Sequence, residues 1–87
     1  MIVSAAVKIK DLRQNKEICI PCHRHCDAFY ILKEFGYRPR IGYEEIAQGF
    51  LDENDQFYTR VEAYQHALNC KQIEPKILQT LYSEDLY

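Results

Sequence analysis

The apolar residues of this chain change their period at Pro21, and that change limits the folds open to it. Before it, Val3, Ala5, Val7 and Ile9 alternate with Ser4, Ala6, Lys8 and Lys10, the period of a half-buried strand. Asp11 to Lys16 is polar, with Asn15 near its tip, which predicts a loop that returns the chain antiparallel. Glu17 to Ile20 then supplies a short second strand with Ile18 and Ile20 inward. After the change, Cys22, Cys26, Phe29, Leu32 and Phe35 recur at spacings of three and four, an amphipathic helical stripe. Pro21 suits the first turn of that helix, and Gly36 suits its end.

The second half repeats this order with different residues. Tyr37 to Gly42 reads as an extended linker carrying Arg38 and Arg40. Gln48–Asp52 and Asp55–Tyr58 predict a hairpin that turns near Asn54. Thr59-Arg60-Val61-Glu62 matches a capping box, with Thr59 as N-cap and Glu62 at the third helical position. The helix that follows is predicted to reach about Lys71 with Val61, Tyr64 and Leu68 inward. Pro75 interrupts the tail over 72–87, whose Ile77, Leu78, Leu81 and Leu86 predict packing on this domain or on a neighbouring subunit. The expectation is one α+β domain over residues 1–87, ordered β-β-α-β-β-α, with one antiparallel sheet and the helices on one face.

A chain of 87 residues builds only a modest core, and such domains often gain stability from a metal or from oligomerisation. A formal charge of −2 excludes a protein that coats nucleic-acid polymers or membranes through a basic surface. No segment nears the length of an apolar membrane span. Met1-Ile-Val-Ser-Ala-Ala has neither a charged leader nor a long apolar run, so the sequence predicts a cytoplasmic protein with reduced thiols.

Against the acidic balance, His23, Arg24, His25, Lys33, Arg38 and Arg40 fall within eighteen residues. Placed in a first helical turn, His23, Arg24 and His25 would meet free N–H groups and the positive end of the helix dipole, a setting that favours an anion. Arginine offers phosphate a two-pronged fork. The plain alternative is a solvated helix start. Cys19, Cys22 and Cys26 with His23 are the raw material of a zinc site. Three thiols in one segment depart from the usual two separated pairs, however, and buried cysteines commonly act as small apolar residues. Cysteine–histidine nucleophilic chemistry lacks a visible second partner, and the isolated glycines form no phosphate loop. Tyr58 and Tyr82 have the right chemistry to stack on a base, and equally to fill a core or rim.

The residues Arg24-His25-x-Asp27, Gln48-Gly49-Phe50, Asp55-x-Phe57, Arg60-x-Glu62-Ala63, Gln72-Ile73 and the closing Leu81-Tyr82-Ser83-Glu84-Asp85-Leu86-Tyr87 together resemble a family of small bacteriophage and prophage proteins. That family commonly ends in Trp and turns its hairpin with Asp-Gly; here Tyr87 and Asp55-Gln56 stand instead. The resemblance implies a viral protein whose functional pair is Arg24 and His25, and it favours no metal and no cofactor over zinc. Its implied role is anti-defence: a homo-oligomeric, sponge-like protein binding a cyclic-nucleotide or ADP-ribose-type immune signal without cleaving it. The expected ligand contacts are Arg24, His25 and His23, with Arg38, Arg40, Arg60, Tyr58 and Tyr82 beside them and no catalytic residue. The alternative is a protein–protein inhibitor or adaptor, with a structural zinc at Cys19, Cys22, Cys26 and His23. A small phosphodiesterase is the least favoured reading.

Overall fold

The computed structural model describes residues 1–86; the aromatic at position 87 lies outside them. Strands β1 (Ile2–Asp11) and β2 (Lys16–Cys22) form a hairpin, followed by helix α1 (His25–Glu34). Strands β3 (Tyr43–Asp52) and β4 (Phe57–Thr59) form a second hairpin, followed by helix α2 (Arg60–Asn69) and a late 3-10 turn, Ser83–Asp85. The four strands make one antiparallel sheet in the order β2-β1-β3-β4. The predicted β-β-α-β-β-α order and α+β class hold.

One face of β1 serves both helices. Val7 and Ile9 pack with Ala28 and Leu32 of α1 and with Tyr43. Ala5 and Ile2 pack with Phe50, with Ala63, Tyr64 and Ala67 of α2, and with Leu81 from the tail. The tail therefore closes on its own domain, and burying Leu81 contributes about 2 kcal/mol. Val3 is half exposed rather than inward, because a register irregularity between Ile2 and Ser4 turns it out and hands the inward place to Ile2.

Each hairpin is closed by a buried aspartate. Asp11 Oδ1 accepts from the N–H groups of Arg13 (2.9 Å) and Gln14 (3.3 Å), and its Oδ2 accepts from the Tyr37 hydroxyl at 3.1 Å. Asp52 Oδ1 accepts from the N–H groups of Asn54 (2.8 Å) and Gln56 (3.0 Å), and its Oδ2 accepts from the Tyr58 hydroxyl at 3.0 Å. The two ββα halves thus share a device that their sequences hide, since each tyrosine stands at a different distance from its aspartate.

The helix starts separate a correct expectation from a misplaced one. The Thr59–Glu62 capping box is present: Glu62 N–H donates to Thr59 Oγ1 (3.3 Å) and Thr59 N–H to Glu62 Oε1 (2.9 Å). Helix α1 starts four residues after Pro21, at His25, with Arg24 as N-cap and its N–H bonded to Asp27 Oδ2 at 3.1 Å. Pro21 belongs to β2, where an edge strand tolerates a missing N–H. The buried face of α1 is accordingly His25, Ala28 and Leu32. Cys26 and Phe35 are exposed, and Cys22 ends a strand. In α2 the inward residues are Ala63, Tyr64 and Ala67, while Val61 is exposed and the helix ends at Asn69.

Candidate functional site

The eight sequence candidates fall into two groups and two outliers. The first group sits where both helices begin. His25 is the first residue of α1 and Arg60 the first of α2, and the two side chains meet. His25 Nε2 lies 2.8 Å from the Gly49 carbonyl, which only accepts, so Nε2 carries the proton and donates. Its Nδ1, 3.3 Å from Arg60 Nη2, therefore accepts. The ring also stands edge-on to Phe50, with centroids 5.3 Å apart. Burial, with the Arg60 charge beside it, pushes the His25 pKa down and outweighs the opposing pull of the Gly49 carbonyl.

Arg60 is consumed by the same junction. Nη2 donates to Gln48 Oε1 at 2.7 Å as well as to His25, and Nη1 donates to the Leu81 carbonyl at 3.4 Å. The Arg60 carbonyl accepts from the Leu81 N–H at 3.0 Å. Its guanidinium also lies over Tyr82, 5.4 Å from the ring centre, and Lys76 Nζ lies 5.0 Å from the same ring. A cavity of about 240 Å³ remains between Arg24, Cys26, Tyr82 and Glu84. His25 has no ring nitrogen left for a phosphate, and Tyr82 already carries two of the chain's own cations. At this junction the chain's own groups engage His25, Arg60 and Tyr82.

The second group lies at the other end of α1, about 15 Å away along ten helical residues. Gly36, at φ +81°, ends the helix, and the following segment is a tight loop rather than the extended linker expected. Gly42 N–H donates to the Arg38 carbonyl at 2.7 Å and Arg40 N–H to the Tyr43 carbonyl at 2.8 Å. This holds Arg40 at φ +69°, a left-handed conformation unusual outside glycine. Tyr37 anchors the loop through Asp11, and Arg13 caps the Tyr37 ring at 4.1 Å while donating to the Gly36 carbonyl at 2.6 Å.

Two adjoining cavities open beside this loop and share Phe29, Pro39 and Tyr43 as a common wall. One, of about 520 Å³, adds Lys33, Tyr37 and Arg38. The other, of about 660 Å³, adds Arg40, Glu44 and Glu45. Phe29 and Tyr43 stack at 6.4 Å with their planes 28° apart. The side chains of Lys33, Arg38 and Arg40 are exposed and make no hydrogen bond or ion pair among the described residues. Volumes of this size with aromatic walls and few polar groups suit a small molecule. Lys33, Phe29 and Tyr43 were not among the candidates; only the closing of the loop onto α1 assembles them.

His23 and Tyr58 belong to neither place. His23 is exposed ahead of the helix. Tyr58 is tied to Asp52 and stacks on His66, with ring centres 4.8 Å apart. The cysteines scatter as well. Cys19 and Cys22, three apart on β2, face opposite sides of the sheet. Burial pushes the Cys22 thiol up to about 11, so it is protonated at neutral pH. Among the described residues no group of three or more His, Cys, Asp or Glu side chains is placed to hold a metal ion, and no helix is long and apolar enough to cross a membrane.

Of the residues that carry the resemblance, Arg24, His25, Gln48, Gly49, Phe50, Arg60 and Leu81 meet at the junction or line it. Gln72 ties the start of β1 to the tail, donating to the Ile2 carbonyl at 2.6 Å and accepting from its N–H at 2.9 Å. No curated protein and no solved structure matches the chain. A family model described as the Phage T4 y16D protein matches residues 1–87, and the chain belongs to that phage protein family.

Proposed function

We propose that this phage protein binds a phosphate-bearing nucleotide in the groove beside the Tyr37–Gly42 loop, and that it withholds this molecule from host defence without cleaving it. One observation supports the reading above the others. Arg38 and Arg40 are exposed and unpaired among the described residues, and they flank aromatic cavities of about 520 and 660 Å³. Arg13 and Arg60 are already engaged by the chain. A free guanidinium beside an aromatic wall offers a phosphate a fork and a base a flat surface. The reading also takes the protein as a homo-oligomer working in the host cytoplasm. Tyr30 (65% exposed), Phe35 (74%) and Ile41 (75%) give a second copy apolar surface near the groove.

The test is titration of cyclic nucleotides and ADP-ribose-type nucleotides, followed by native mass spectrometry and calorimetry. The protein should gain the mass of an intact nucleotide. Arg38→Ala should weaken binding tenfold or more with its circular dichroism unchanged, while Arg24→Ala should leave the affinity within threefold. Indifference to every nucleotide, turnover of the bound one, or dependence on Arg24 and not on Arg38 would each overturn the reading. A protein partner is the second reading, favoured by Ile77, fully exposed, and Leu78, 65% exposed, side by side in the tail. Tight capture of a host protein by a chain blind to nucleotides would establish it.

A further inference from the structure

Four polar groups from three separate parts of the chain meet at the C-terminal end of α2. His66 and Cys70 stand four positions apart, so both project from one face of the helix. Cys70 is the C-cap, and its Sγ lies 3.8 Å from His66 Nε2. The Met1 amine stands 3.1 Å from the same Nε2 and 2.7 Å from Glu53 Oε2, in the turn between β3 and β4. An ammonium only donates, so Nε2 turns its lone pair toward this point. Glu53, with Cys70 beside it, pushes the Met1 pKa up. The surroundings therefore favour positive charge here, as does the negative end of the helix dipole.

The fold holds these groups in place through neighbours that stay outside the cluster. Gln72 donates to the Ile2 carbonyl at 2.6 Å and accepts from the Ile2 N–H at 2.9 Å. That two-way clamp pins the start of β1 beside the end of α2 and delivers the Met1 amine to His66. The His66 ring stacks on Tyr58, with centres 4.8 Å apart, and the Tyr58 hydroxyl donates to Asp52 at 3.0 Å. Support of this kind fixes the orientation of a histidine that binds a metal ion.

We infer that His66 Nε2, Cys70 Sγ and the Met1 amine form a three-donor face for a divalent ion of the zinc class, with Glu53 or a water completing the shell. Nitrogen and sulfur ligands sit about 2.0–2.3 Å from a tetrahedral zinc, which sets neighbouring donors about 3.3–3.6 Å apart. The separations of 3.1 Å and 3.8 Å around His66 Nε2 bracket that spacing, so the ion enters with shifts of a few tenths of an ångström. One thiolate with two nitrogens suits zinc, cobalt or nickel, whereas magnesium and calcium take oxygen ligands. The third donor belongs to the main chain, so the face needs only two metal-binding side chains. Binding releases the ammonium and thiol protons to solvent.

The experiment adds cobalt(II) and then zinc(II) to the whole, reduced chain and follows the visible spectrum and the melting temperature. Cobalt should give the ligand-field bands of a four-coordinate site with a thiolate charge-transfer band, and stoichiometric zinc should bleach both. Zinc should raise the melting temperature, a chelator should reverse the rise, and magnesium should do nothing. Cys70→Ser, at an exposed position, and His66→Gln should each weaken cobalt binding about tenfold or more with circular dichroism unchanged. Two residues added ahead of Met1 carry the amine away with every side chain intact, and should weaken binding as much. Cys26→Ser should leave it within threefold. Absence of the cobalt bands, or bands that survive Cys70→Ser, would overturn the inference. Full-strength binding by the extended chain would overturn it too, because the amine would then not be a ligand.

Discussion

The two ends of α1 hold arginines in opposite states. At its start, Arg60 donates to Gln48, His25 and Leu81 and lies over Tyr82, in a site where two helices, a strand and the tail meet. At its end, Arg38 and Arg40 project from a loop whose bonds are made by backbone, leaving the side chains to solvent. The Arg60 guanidinium is half-buried, and the hydrogen bonds it makes there offset the loss of water around it. An exposed one is met by water, which a ligand can replace. The lesson is that an arginine's chemistry does not reveal its role; what the fold has already spent it on does.

The largest expected effect breaks the first end. Arg60→Ala removes charge-assisted hydrogen bonds and leaves the Gln48 and Leu81 acceptors and His25 Nδ1 without their donor. Stability should fall by about 2–3 kcal/mol, read as a lower urea midpoint, with nucleotide affinity of the folded fraction unchanged. A loss of affinity without a loss of stability would reverse the assignment of the two ends.

A smaller effect comes from pH. The folded chain holds His25 below its ordinary value, so the unfolded chain takes up the proton first as pH falls. Stability from this group is complete above about pH 6.5 and declines as pH drops through that value toward the folded pKa. Urea midpoints measured from pH 8 to pH 5 should show the decline. His25→Leu, less stable overall because the Gly49 carbonyl and Arg60 lose a partner, should lack that contribution to the slope. An unchanged slope in this variant would show that His25 is not held neutral.

The smallest effect sharpens the second end. Arg40→Gly relieves a left-handed backbone, worth about 0.5–1 kcal/mol, against the greater freedom of glycine in the unfolded chain. The melting temperature should hold or rise slightly while nucleotide binding weakens. Lower stability would mean that the Arg40 side chain supports the loop.

Local rules made much of the fold legible. The alternation of β1, the Thr59–Glu62 capping box, Gly36 at a helix end and the turn near Asn54 each depend on residues a few positions apart. Where a nearby rule competed with a distant partner, the sequence misled. Pro21 suits a helix start as well as an edge strand, and only pairing with Ala6 decides for the strand. That choice moved the start of α1 to His25 and turned Cys26 outward, so the expected apolar stripe rotated by part of a turn.

The candidate site shows the same limit more sharply. Four expected ligand contacts, Arg24, His25 and Arg60 for phosphate and Tyr82 for a base, do come together around one small cavity. There His25, Arg60 and Tyr82 are engaged with the chain's own groups. Lys33 showed in the sequence only as one charge of a basic run and Phe29 only as one residue of a helical stripe; their meeting with Tyr43 had no local signal, because the groove exists only once α1, the loop and β3 are in place.

The sequence by itself determined the order of elements, their hairpins and one helix cap, since periodicity and short-range hydrogen bonds act within a few residues. The tertiary structure decided which cations are consumed and which are free, because His25 and Arg60 are 35 positions apart and Arg60 and Leu81 are 21 apart. Burial and long-range hydrogen bonding set those fates, and neither can be read from a residue and its immediate neighbours.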